Sequence, residues 1–192
     1  MCSIPIKMIL ATDIGYGIGV NNKLPNWRLK GDMAQFKRLT IGKGDNFVIM
    51  GGNTWASMDN RPLIKRRNIV LSKTAKTVAT NQKKENVIIA RDLNDAFQYI
   101  DTNKSATSEL WIIGGAQIYE WFMPYVCEIH WTRALKDYQC TTFLSKEQIK
   151  MMITKVWSTE HSEHESHDSD GYIYCTWKSD KSKKLRLETI LR

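Results

Sequence analysis

The sequence predicts an α/β fold: a single domain with a mostly parallel central sheet, an antiparallel C-terminal strand, and helices on both faces. Two observations predict it. Short, continuously apolar runs such as Phe47-Val48-Ile49-Met50 and Leu110-Trp111-Ile112-Ile113 have strand length without polar alternation, as strands buried on both faces require. These runs alternate with amphipathic and polar helical segments, the pattern of successive β-α units. At 192 residues, 42% hydrophobic and 25% charged, the chain can bury one sizeable core and has the composition of an ordinary globular protein.

Taken in order, Ile6 to Ala11 reads as a first buried strand. The stretch Gly15 to Trp27 is too rich in Gly and Asn for regular structure and reads as a loop. A short helix follows over Asp32 to Thr40, then the strand Phe47 to Met50, ending at Gly51-Gly52-Asn53-Thr54-Trp55, where a helix should begin. Asn68 to Leu71 and Val87 to Ala90 are two more apolar runs of strand length. Leu93, Ala96, Phe97 and Ile100 recur at helical spacing behind the acidic start Asp92. Leu110 to Ile113 is a strand running into Gly114-Gly115 and a helix through Met123, and Cys127 to Thr132 continues as a strand. Two antiparallel strands are expected around Val156 and over Tyr172 to Cys175.

Composition narrows the function. No apolar run approaches the roughly 20 residues that span a bilayer, and the N-terminus lacks the basic and apolar regions of a secretion signal. Cys2, Cys127, Cys140 and Cys175 are scattered without C-x-x-C spacing, which argues against zinc and disulfides and for a reducing, cytoplasmic setting. Half of the net charge of +8 sits between Lys178 and Arg192, so residues 1–178 are expected to form the domain and 179–192 a basic tail. Such a tail reads as a solvated end, and nucleic-acid binding is not expected. The rest of the positive charge suits an anionic small ligand.

Asp32 and Phe36 carry the sharpest chemical signal. Four apart on a helix, they share a face, and an acid beside an aromatic under a Gly-rich loop suits a flat, nitrogen-rich heterocycle. Asp32 three residues before Gln35 is also a capping-box pattern, so a purely structural role stays open at this point. Gly51-Gly52 and Gly114-Gly115 are each placed where a strand meets a helix; glycine admits a ligand close to the backbone, and free N–H groups at a helix start attract phosphate. Two such turns in one sheet suit a dinucleotide, although the Gly15-x-Gly17-x-Gly19 stretch is not the usual fingerprint. Ser72-Lys73 after a strand suits an adenosine 2′-phosphate, and an arginine within Arg61 to Arg67 suits a carboxylate. His161, His164 and His167 lie in what reads as a polar, exposed loop between strands, and no metal site is expected there.

Over roughly residues 5–178 these segments together resemble dihydrofolate reductase. The resemblance rests on Ile18-Gly19, Leu24-Pro25 with Trp27, Asp32 with Phe36-Lys37-Arg38, and Val48 to Gly51 followed by Thr54-Trp55 and Ser57. It continues through Arg61-Pro62-Leu63, Arg66 to Ser72, Ile113-Gly114-Gly115 with Ile118-Tyr119, and Thr132. Departures from the family pattern are Asn26 between Pro25 and Trp27, Asn60 before Arg61, Gly52 where many bacterial members carry arginine, and Ile64-Lys65 in place of Pro-Gly.

The resemblance implies NADPH-dependent reduction of 7,8-dihydrofolate to tetrahydrofolate, serving one-carbon metabolism and thymidylate synthesis. It implies Asp32 as the one acid of the pterin pocket, supported by Thr132, with Ile9, Phe36 and Met58 packing on the substrate. Arg66 would pair with the glutamate α-carboxylate and Arg61 would lie near it. NADPH would be lined by Ala11; by Gly17, Ile18, Gly19, Val20, Asn21, Asn22 and Lys23; by Asn53, Thr54, Ser72 and Lys73; and by Gly114, Gly115, Ala116, Gln117, Ile118, Tyr119, Glu120 and Trp121. A monomer is expected. The alternatives are a related pterin or pyrimidine reductase, and a folate-binding protein impaired in catalysis on the same scaffold.

Overall fold

The computed structural model describes residues 4–74, 86–157, 161–166 and 171–178, with the backbone alone for 155–157 and 161–166. Ten strands and five helices run in chain order as β1 (Ile6–Thr12), β2 (Gly17–Gly19), α1 (Asp32–Ile41), β3 (Phe47–Gly51), α2 (Gly52–Ser57), β4 (Arg67–Leu71), β5 (Val87–Ala90), α3 (Leu93–Asn103), β6 (Leu110–Ile112), α4 (Ala116–Phe122), β7 (Glu128–Ala134), β8 (Thr142–Phe143), α5 (Lys146–Trp157), β9 (His161–Ser166) and β10 (Tyr172–Lys178). A 3-10 turn, Met123–Tyr125, follows α4. Eight strands form the main sheet in the order β5-β4-β3-β6-β1-β7-β10-β9. The pairs from β5 to β7 are parallel, and β10 returns antiparallel to both β7 and β9. The predicted fold class therefore describes the molecule.

Parallel strands need both faces covered, and the alternation of side chains divides the core in two. Ile6, Met8, Leu10, Phe47, Ile49, Leu110 and Ile112 point to one face, where Ala96, Phe97 and Ile100 of α3 and Ile118 and Phe122 of α4 pack on them. Ile9, Val48, Met50, Val70 and Trp111 point to the other, beneath Phe36 and Leu39 of α1 and Trp55 of α2. Helix α3 starts as its sequence indicates: Asp92 is the N-cap, and its carboxylate accepts the Asp95 N–H at 2.9 Å.

Three expectations need correction, and one alternative that the sequence left open is decided. The segment around Val156 is not a strand but the end of α5. Ile149 and Met152, three apart, pack into the core, so helical spacing outweighs the β-preference of a single valine. A capping box missed in the sequence starts this helix: Gln148 N–H donates to Ser145 Oγ at 3.1 Å, and Ser145 N–H donates to Gln148 Oε1 at 2.6 Å. The Gly-rich loop holds regular structure after all, because β2 pairs with β8. There the missing side chain admits the close neighbour: a Cβ on Gly17 would lie 2.2 Å from the Cβ of Cys140.

Residues 161–166, expected as a polar loop, form the edge strand β9, whose backbone is satisfied by β10 whatever the polarity of its side chains. His167 lies outside the described residues, as do the side chains of His161 and His164, and so does the stretch 179–192. Finally, Asp32 does not cap α1. The N-cap is Gly31, at a φ of 90°, and Asp32 is the first helical residue with its carboxylate engaged elsewhere.

A buried asparagine fixes the loop between α2 and β4. Asn68 Oδ1 accepts the Leu63 N–H at 2.9 Å, and its Nδ2 donates to the carbonyls of Leu63, Arg66 and Asn86. Asn68→Ala removes a fully buried side chain that bonds three stretches of backbone at once, so it is expected to cost about 2–3 kcal/mol. Thermal denaturation should then show Tm lower by roughly 5–10 °C; an unchanged Tm would contradict this account of the loop.

Candidate active site

The shared direction of the parallel strands brings the carboxyl ends of β1, β3, β4 and β6 to one edge, where open α/β sheets bind ligands. A cleft of about 1070 Å³ opens there. Two glycine pairs line it, and they meet: Gly51 N–H donates to Gly114 O at 2.8 Å, and the Gly114–Gly115 peptide is cis. Side chains at these turns would crowd their neighbours. A Cβ on Gly52 would lie 3.0 Å from Ser72 Oγ, and one on Gly114 would lie 2.9 Å from the Tyr119 hydroxyl. The N-caps of α2 and α4 are Gly51 and Gly115, and neither end receives a hydrogen bond from a capping side chain.

Most residues expected around a dinucleotide line this cleft. Ala11, Ile18, Gly19, Asn22 and Lys23 come from β1 and the loop after it. Asn53 and Thr54 lie on α2, and Ser72 and Lys73 follow β4. Gly114, Gly115, Ala116, Gln117, Ile118, Tyr119 and Trp121 supply the α4 side. Gly17, Val20, Asn21 and Glu120 do not line it: Gly17 gives its N–H to Asp13 at 2.7 Å, and Asn21 gives its own to Thr141 Oγ1 at 2.8 Å.

The cleft also takes in Leu24, Trp27, Ser57, Thr142 and the run Arg91 to Asn94, none of which was singled out as a ligand residue. The run at Arg91 had a readable signal, since it follows the carboxyl end of β5. Thr142 had none, because only the pairing of β2 with β8 brings it there.

A second group lies beside the cleft, across β1 and β7. Ala11 of the cleft pairs with Thr132 of β7, and Thr132 Oγ1 donates to Asp32 Oδ1 at 2.6 Å. Burial pushes the Asp32 carboxyl above its ordinary value, and the bond from Thr132 pulls back only part of that rise. Ile9, Phe36 and Met58 belong to one apolar cluster on the same face of the sheet.

Arg66 is buried, with its guanidinium 5.9 Å from the centre of the Phe36 ring. Its Nε donates to Ile64 O at 3.0 Å and its Nη1 to Thr40 Oγ1 at 2.8 Å. Arg61 stands apart in an exposed turn, its backbone N–H bonded to Met58 O. Tyr119 joins the two groups: it lines the cleft, and its hydroxyl donates to Ile9 O at 3.1 Å. Burial, and then the nearby Asp32 charge, raises the Tyr119 hydroxyl far above its ordinary value.

A half-buried, weakened acid next to apolar and cationic side chains can hold and protonate a nitrogen heterocycle, and the glycine-lined cleft can hold phosphates. Comparison with known proteins agrees with that chemistry. The profile of the family described as dihydrofolate reductase matches residues 5–179. A dihydrofolate reductase of Heliothis virescens is 36% identical over 163 residues, covering 79% of this chain and 86% of that protein. The Mus musculus dihydrofolate reductase is 34% identical over 150 residues, covering 72% and 78%. A bifunctional dihydrofolate reductase-thymidylate synthase of Paramecium tetraurelia is 35% identical over 143 residues, which are 73% of this chain and 28% of that longer protein. With matches of this extent, around a half-buried acid and a glycine-lined cleft, the chain belongs to the dihydrofolate reductase family.

Proposed function

We propose that Asp32, held against Thr132, is the acid of the family's reaction in this protein. The reaction is the reduction of 7,8-dihydrofolate to 5,6,7,8-tetrahydrofolate with NADPH, and it serves one-carbon metabolism and thymidylate synthesis. The observation that carries the assignment of Asp32 is a half-buried carboxylate with a raised pKa, bonded to Thr132 beside the cleft.

The residues present fit NADPH. A cleft of about 1070 Å³ exceeds what a drug-sized ligand needs and suits a dinucleotide. Its two glycine turns would take the pyrophosphate, and Lys73 and Arg91 at its rim are cations for the adenosine 2′-phosphate. When bound, NADPH supplies the hydride that reduces pterin C6.

The chain's own residues do the rest. Asp32 would bond the N3 and 2-amino groups of the pterin and assist protonation of N5. Ile9, Phe36 and Met58 would pack on the substrate rings and exclude water, keeping the acid desolvated. Among the described residues Arg66 has no protein partner for its Nη2, which would take the glutamate α-carboxylate. Arg61 and the predicted cofactor residues lining the cleft keep their proposed ligand roles. We further infer a monomer working in the cytoplasm. Cys127, Cys140 and Cys175 are free, as a reducing setting requires, and no helix among the described residues is long and apolar enough to cross a membrane.

Three outcomes test this reading. Asp32→Asn should lower kcat by on the order of 10²–10⁴-fold while NADPH binding persists; undiminished turnover, followed by loss of NADPH absorbance, would remove Asp32 from the mechanism.

Thr132→Val removes the bond that favours ionised Asp32, so the alkaline limb of the kcat–pH profile should move to higher pH. The sign follows from linkage: the folded chain holds this proton more tightly than the unfolded chain, so stability falls as pH rises from the ordinary carboxylate value through the raised one. A limb that stays put or moves down contradicts the assignment.

Arg66→Leu should raise KM for dihydrofolate about 10- to 100-fold, the value of a charge-assisted bond. A pterin substrate lacking the glutamate should show no such difference, and equal losses on both substrates would rule out the carboxylate role.

A further inference from the structure

Thr132 is one of three polar side chains in a row. The two-residue period of β7 puts Glu128, His130 and Thr132 on one face, and antiparallel pairing sets Thr176 opposite His130 and Tyr174 opposite Thr132. Glu128 and His130 are buried, at 8% and 5% exposure. Burial alone would raise the Glu128 carboxyl, but hydrogen bonds from His130 and Lys7 outweigh it and hold the pKa at about 2.

An ionised carboxylate only accepts. His130 Nε2 therefore donates to Glu128 Oε1 at 2.7 Å, while Lys7 Nζ sits 3.0 Å from Glu128 Oε2. With Nε2 committed to Glu128, the other ring nitrogen, Nδ1, bonds the Tyr174 hydroxyl. The Tyr174 oxygen in turn accepts from Gln35 Nε2 at 3.0 Å. Arg38 sets the direction of that amide, because its Nε and Nη2 both donate to Gln35 Oε1, at 3.2 and 2.6 Å. Lys7, Glu128, His130, Tyr174 and Gln35 thus form one continuous chain of polar contacts from β1 to α1.

Helix α1 needs such a fastening. It begins at Gly31 with no side-chain cap, and its first carboxylate, Asp32, is taken up by Thr132. Among the described residues, strands β7 and β10 hold its start through three side-chain bonds: Thr132 to Asp32, Tyr174 with Gln35, and Tyr172 Oη donating to Lys30 O at 2.8 Å. A polar chain whose middle members, Glu128 and His130, are buried is costly to desolvate, and what it supplies is a single geometry.

We propose that His130 and Tyr174 are positioning residues for the reduction: they lock the first turn of α1 over β7 and β10 so that the Asp32 carboxylate stays against Thr132. The proposal rests on Asp32 being the acid. Neither residue touches the ligands; both act through α1.

The test is a mutant cycle on the full chain with dihydrofolate and NADPH. Tyr174→Phe keeps the ring and removes only the hydroxyl, so folding is preserved, and kcat should fall on the order of tenfold with KM for NADPH unchanged. His130→Phe should cause a similar fall, and the double variant should be no worse than either single one, because both break the same chain. In an Asp32→Asn background, followed by single turnover with excess enzyme, Tyr174→Phe should cause no further loss.

Unchanged kcat in Tyr174→Phe, additive losses in the double variant, or an equal fall in both backgrounds would overturn the positioning role while leaving Asp32 as the acid. Full turnover in Asp32→Asn alone would instead overturn the reading of the acid, and this proposal with it.

Discussion

Parallel pairing across β4, β3, β6, β1 and β7 points all of these strands the same way, and the functional half of the molecule depends on it. Parallel strands cannot be joined by tight hairpins, and among the described residues the connections carrying α1, α2, α3 and α4 cover the two faces of the sheet. The two apolar clusters on opposite faces are the result, and burial on both sides explains why residues such as Val48, Ile49 and Met50 leave no room for polar alternation. The shared direction also gathers the strand-end turns at one edge. Gly51-Gly52 and Gly114-Gly115 are more than sixty residues apart in sequence yet are joined by a backbone hydrogen bond.

Set into that edge, Asp32 is governed by two opposing effects. Withdrawal from water disfavours the charged form, whereas the Thr132 hydroxyl favours it. The first is larger, so the acid holds its proton more tightly than a solvated aspartate would. An acid whose pKa is raised in this way gives up its proton at higher pH than a solvated aspartate, and Ile9, Phe36 and Met58, which share one apolar cluster, are the side chains proposed to pack on the substrate. On the proposed reading, one set of side chains serves both binding and proton chemistry. The same economy appears on β7, where a single strand face presents Thr132 to Asp32 and carries the bonded row of His130 and Glu128 beneath it.

Much of this was legible in the amino-acid sequence because it is local. The apolar runs, the glycine pairs after two of them, the i, i+4 spacing of Asp32 and Phe36, and the Asp92-capped helix each depend on residues a few positions apart. Where the reading went astray, a local signal was misjudged or a tertiary partner was missing. Ser145-x-x-Gln148 is a capping box visible in the sequence, yet Val156 drew the region toward a strand. The strand β2 exists only because Thr142 and Phe143 return to meet it, and nothing within Gly15 to Trp27 announces that partner.

By itself, the sequence determined the fold class, the strand-to-helix glycine turns, and the acid and aromatic that share one face of α1, since periodicity and backbone permissiveness are properties of short segments. Only the tertiary structure decided what Asp32 does with its carboxylate. The choice between capping α1 and meeting Thr132 depends on the register that brings β7 beneath the helix, one hundred residues away in the chain. The linkage from Lys7 through His130 and Tyr174 to Gln35 belongs to the same category: its donors and acceptors come from four separate elements, and hydrogen bonds are directional enough to form only once those elements are packed.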